Sequence, residues 1–97
     1  MVESEKPKIP RKAKTAAKLL VAHGATEVYL FGSWATGTAK RGSDIDLAIR
    51  GIAPRDYFAA LGDVLLAIGS AVDVVDLDKD SPFVRHLIEH AAMVRVA

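Results

Sequence analysis

The chain has no cysteine, which excludes a disulfide framework and any thiolate metal site. It has no strong charge of either sign. Thirteen lysines and arginines meet twelve aspartates and glutamates, for a formal net charge of +1. So close a balance exerts no long-range pull on nucleic acid or a membrane surface, and direct nucleic-acid binding by the isolated chain is not expected. No apolar run approaches the roughly 20 residues that span a bilayer. The first ten residues are polar and contain proline, unlike a secretory signal. There is no internal repeat, low-complexity tract or linker. What is present is 97 residues, 51% of them hydrophobic, enough to bury the core of one domain. The expectation is a soluble cytoplasmic protein, with a loose tail over residues 1–9 and one domain over 10–97.

Charge is uneven locally. Lys6, Lys8, Arg11, Lys12, Lys14 and Lys18 make the N-terminal end basic, and Asp73, Asp76, Asp78 and Asp80 make a later stretch acidic. Both read first as solvated faces. Periodicity supplies the elements. Ala13, Ala17 and Leu20, with Ala16 beside them, form one stripe of a helix from about Pro10 to His23. Residues 27–31, EVYLF, read as a strand. A helical turn begins at Ser33, and residues 44–49, DIDLAI, alternate as a half-buried strand. Pro54 opens a helix to about Ile68, its apolar face drawn from Tyr57, Phe58, Leu61, Val64, Leu65 and Ile68. Residues 71–77 form a third strand, with Asp76 solvated at its end. Ser81 and Pro82 start a helix to about Ala91, and MVRV at residues 93–96 is a short fourth strand. Helices alternating with strands favour one sheet covered by helices, and the expectation is an α/β domain, a single small mixed β-sheet flanked by helices.

The stretch from Leu30 to Ile49, LFGSWATGTAKRGSDIDLAI, is the unusual one. Residues two apart in a strand share a face, roughly 6.6 Å apart. Asp44 and Asp46 therefore point one way, and Ile45, Leu47 and Ile49 the other. Two like charges on one strand face disfavour the fold, and aspartate is depleted in strands. A divalent cation removes that cost. Magnesium favours a few carboxylates together with substrate phosphates, and converging carboxylates bridge metal pairs in phosphoryl chemistry. Asp73, on the next strand, is the candidate third carboxylate. At the other end, Gly32 allows close backbone approach. A helix starting at Ser33 turns free N–H groups and a hydroxyl toward an anion. Phosphate donors facing metal ligands suit a nucleoside triphosphate.

This constellation resembles the signature of the DNA polymerase β-like nucleotidyltransferase superfamily, Gly-Ser followed at ten residues' spacing by Asp-x-Asp. The compact chain is similar to the minimal nucleotidyltransferases (MNT), which commonly serve as antitoxins to an all-helical HEPN-domain toxin. The resemblance implies a polymerase β-like nucleotidyltransferase fold and transfer of AMP from ATP to a hydroxyl. It implies phosphate contacts from Gly32 and Ser33, and two Mg²⁺ ions held by Asp44, Asp46 and Asp73. Asp73 also matches the general base. Where such motifs often carry arginine this chain has Thr36, and Lys40 or Arg41 is the substitute source of positive charge.

Trp34 suits either stacking on a base or packing. His23, His86 and His90 have no spacing of a metal cluster, and Tyr57 reads as core rather than acceptor. About twenty residues follow the third strand, so another polypeptide is expected to complete the cleft and bring the hydroxyl, a tyrosine of the toxin. Two rivals stand beside this reading. One is an antitoxin that neutralises its partner by binding alone; the other is an enzyme acting on a small molecule.

Overall fold

The computed structural model describes residues 9–40, 42–69 and 71–97. The expected tail, save Ile9, and Arg41 lie outside the described residues. The elements are α1 (Arg11–Ala22), β1 (Glu27–Phe31), α2 (Ser33–Thr36), β2 (Ile45–Arg50), α3 (Pro54–Ile68), β3 (Val72–Asp76), α4 (Pro82–His90) and β4 (Val94–Arg95). The strands form one sheet in the order β3-β2-β1-β4. β1 runs antiparallel to β2 and β4, whereas β2 and β3, joined through α3, are parallel. The sheet is mixed, as expected. No helix among the described residues is long and apolar enough to cross a membrane.

Strand parity divides the sheet into two faces. Val28, Leu30, Ile45, Leu47, Ile49 and Val72 turn to α1 and α3 and are buried there. Leu30 and Leu47 are fully buried, each contributing about 1.5–3 kcal/mol relative to an exposed side chain. α1 meets them with Leu20 and with Ala13, Ala16 and Ala17, three small side chains that let the helix lie close. His23 Nε2, just past its end, joins Asp63 Oδ2 of α3 at 2.6 Å. The opposite face carries Tyr29, Phe31, Ala48 and Val75 under Val84 and Leu87 of α4. Ser81 caps α4, its hydroxyl accepting the N–H of Val84 at 3.1 Å.

Three expectations are corrected. The stripe of α3 is narrower than its sequence suggests: Ala60 and Val64 are buried, Tyr57 and Ile68 pack at the margin, but Phe58 is 79% exposed and Leu65 39%. A helix lying on a sheet through positions 57, 60, 64 and 68 turns residue 58 about 100° away. Asp76 is buried rather than solvated, because its Oδ1 accepts the N–H of Asp78 at 2.9 Å and closes the turn after β3. Asp44 lies outside β2 and is exposed. The ladder begins one residue later, where Ile45 N–H donates to the carbonyl of Ala71 at 3.0 Å.

Candidate active site

The site lies where β1 leaves the sheet and β2 enters it. Asp46 stands opposite Phe31 of β1 and opposite Asp73 of β3, so Phe31, Asp46 and Asp73 form one row on the α4 side. Neighbouring strands are about 4.8 Å apart, which brings the two carboxylates side by side. The Asp46 carboxyl is raised above its ordinary value, first by desolvation and then by the negative charges of Asp73 and Asp44. Asp46 thus feels the charge of both other aspartates. Their side chains do not close into a cage: among the described residues no group of three or more His, Cys, Asp or Glu is placed to hold a metal ion. Asp73 is exposed on the edge strand and Asp46 half-buried.

Gly32 follows Phe31 and caps α2, with φ 74° and ψ −153°, a backbone region open essentially only to glycine. A Cβ there would collide with Oδ2 of Asp46. The glycine thus lets the turn pass directly over the carboxylate. Ala35 and Thr36 are the first donors the short helix uses, both to the carbonyl of Gly32, at 3.0 and 3.1 Å. The amides of Ser33 and Trp34 precede them and belong to the orphan donors of a helix start. Ser33 is half-buried and Lys40 exposed; Arg41 lies outside the described residues. The Thr36 hydroxyl lies within reach of the carbonyls of Gly32 and Ser33 at 3.4 and 3.3 Å and of the Thr38 hydroxyl at 3.0 Å. It braces its own turn and brings no positive charge.

Carboxylate oxygens are the hard donors that Mg²⁺ takes, with the three set apart here. The charges of Asp73 and Asp44 help hold the Asp46 carboxyl above its ordinary value, a repulsion that a hard cation would relieve, and the glycine turn keeps the space over Asp46 free of a side chain. Trp34 packs against the core, and its indole N–H donates to the carbonyl of Ser43 at 3.3 Å. Sequence reasoning passed over Ser43; a serine directly before the first aspartate was its only signal. Tyr57 donates its hydroxyl to the carbonyl of Val74 at 2.6 Å, an anchor of α3 on β3. His86 and His90 face each other on α4 with ring centroids 5.0 Å apart.

Comparison with known proteins agrees with this fold. A chain of a toxin–antitoxin structure with AMP-PNP superposes with a TM-score of 0.68 at 26% identity, over 91% of this chain and 73% of that one. A mutant MntA–HpeT toxin–antitoxin structure gives 0.67 at 25% identity, with the same coverage. A complex of a tri-AMPylated Shewanella oneidensis HEPN toxin with its MNT antitoxin shares the fold, at 0.63 and 22% identity over 89% of this chain and 69% of that one. No curated protein sequence matches. The family model described as Polymerase beta, Nucleotidyltransferase matches residues 14–94. That span runs from the first turn of α1 to the start of β4, and the chain belongs to the polymerase β nucleotidyltransferase family.

Proposed function

We propose that this chain transfers AMP from ATP to a tyrosine hydroxyl of a HEPN-domain toxin and acts as its antitoxin by that modification. The observation that carries the reading is the contact of Gly32 with Asp46 beside Asp73. It sets a turn able to approach phosphates against paired carboxylates. The likeness to toxin–antitoxin structures, one of them with AMP-PNP, supports the partner and the nucleotide.

In the reaction the acceptor oxygen attacks the α-phosphorus, the bond to the bridging oxygen breaks, and pyrophosphate leaves. Gly32 and Ser33 hold the triphosphate with backbone N–H groups and the Ser33 hydroxyl. Asp44, Asp46 and Asp73 would hold two Mg²⁺ ions, whose chemistry is to neutralise the triphosphate and the charge that develops on it. Asp73, exposed at the sheet edge, takes the proton of the acceptor hydroxyl at its carboxylate. Lys40, together with Arg41, supplies the positive charge that Thr36 lacks. Positioning and electrostatic stabilisation account for most of the rate gain in such transfers.

Mixing the chain with ATP, Mg²⁺ and a candidate HEPN-domain toxin, followed by intact-mass and peptide mass spectrometry, tests this. AMP on a partner tyrosine is expected, with a loss of more than about a hundredfold in Asp46→Asn. Transfer by Asp46→Asn at the wild-type rate would defeat the metal assignment. The self-bonded Thr36 hydroxyl favours a second reading, neutralisation by contact alone. It predicts that Asp44→Asn/Asp46→Asn still protects cells. The first predicts that this double variant co-purifies with its partner but no longer protects.

A further inference from the structure

Ser43 joins the two halves of the site. Its carbonyl accepts the indole N–H of Trp34 at 3.3 Å. Its hydroxyl accepts the backbone N–H of Lys40 at 2.8 Å, and its own N–H donates to the carbonyl of Lys40 at 2.9 Å. Trp34 is the second residue of α2 and its ring packs against the core. Asp44 follows Ser43 directly and stands outside the sheet, in contrast to Asp46 and Asp73, which strand pairing fixes. The backbone at Asp44 is therefore held from two ends: by Ile45, bonded to Ala71, and by Ser43.

We propose that Ser43 and Trp34 are positioning residues that set Asp44 at its distance from the Gly32–Ser33 turn. The proposal rests on the nucleotidyltransferase reading above, since only a ligand touching both halves makes that distance matter. A triphosphate with its cation is such a ligand, and a misplacement of about 1 Å in a reacting constellation costs up to a hundredfold in rate. Without the two hydrogen bonds the carboxylate still exists, and the buried core residues of the sheet and of α1 and α3 are untouched. What is lost is alignment.

The test uses two substitutions that each remove one hydrogen bond. Ser43→Ala deletes the hydroxyl that receives Lys40. Trp34→Phe keeps an aromatic ring and deletes the N–H. Each is expected to lower kcat about tenfold, with KM for ATP changed less than about threefold, and Ser43→Thr to restore kcat. A readout independent of transfer is Mn²⁺ alone, counted free and bound by electron paramagnetic resonance; both variants should bind it more weakly than the wild type, and Ser43→Thr like the wild type. If the wild type binds Mn²⁺ and both variants match it in affinity and kcat, the positioning role is wrong and the enzyme reading stands. A loss that Ser43→Thr fails to restore also overturns it. If the wild type neither binds Mn²⁺ nor transfers AMP, the enzyme reading falls and the lock with it. Should Ser43→Ala not fold, Trp34→Phe carries the same comparison.

Discussion

The α1/α3 side of the sheet is dry and aliphatic, while the α4 side holds Asp46 and Asp73 beside Tyr29, Phe31, Ala48 and Val75. Both sides come from the same strands by parity. Two helices seal the first, and Val28, Leu30, Leu47 and Ile49 have no exposure left. One helix of nine residues crosses the second, leaving the row of Asp46 only half-covered. The difference separates two tasks. Burial on one side supplies the stability that lets the other keep like charges side by side, an arrangement that disfavours the fold without a cation.

Substitutions across this divide should differ in size and in sign. The largest effect is expected at Leu47, on the sealed side. Leu47→Ala should cost about 2–5 kcal/mol in denaturant unfolding; a smaller loss would mean that this face relaxes more than its packing implies. Next comes a contrast of two glycines. Gly32→Ala should cost about 1–3 kcal/mol, from the strained backbone and the collision with Asp46. Gly62→Ala, in the middle of α3 with open space around it, should stabilise by about 0.5–1 kcal/mol. Equal effects of one sign would erase the reason given for Gly32.

A smaller and pH-dependent effect is expected at Asp46. Its folded value is raised, so the protonated form contributes stability that is present below the ordinary carboxylate value of 3.8. That contribution is lost as pH rises through the raised folded value. In metal-free melts Asp46→Asn should therefore exceed the wild type by a few degrees near neutral pH. The gap should shrink on acidification below about pH 4. A gap that widens instead would mean that the ionised carboxylate is favoured in the fold. The smallest effect belongs to Phe58→Ala, within about 0.5 kcal/mol because the ring is 79% exposed. A core-sized loss would return Phe58 to the apolar face that the periodicity of α3 suggests.

Much of this was legible in the chain itself. Proline and glycine punctuation places α1 and α3 within a residue of their ends, because helix caps are local chemistry. The aromatic and branched residues of EVYLF and the alternation in DIDLAI place β1 and β2, and the Gly-Ser and Asp-x-Asp spacing points to the family. Phe58 misled because periodicity reports how apolar a stripe is, not how wide a surface it meets. Asp76 misled because its partner is a backbone N–H two residues on, and such bonds leave no mark in composition. Asp44 was placed inside the strand because alternation continues through it. The ladder, set by Ala71 from a distant segment, does not.

By itself the sequence determined the elements and marked Asp44, Asp46, Asp73 and Gly32 as candidates for one site, since these follow from local propensity and residue chemistry. Tertiary structure alone decided that Asp46 pairs with Asp73 and that Gly32 crosses over Asp46. It also decided that Trp34 reaches Ser43, nine residues away. Register between strands and contact between turns depend on which segments are brought together, and no local interaction encodes that.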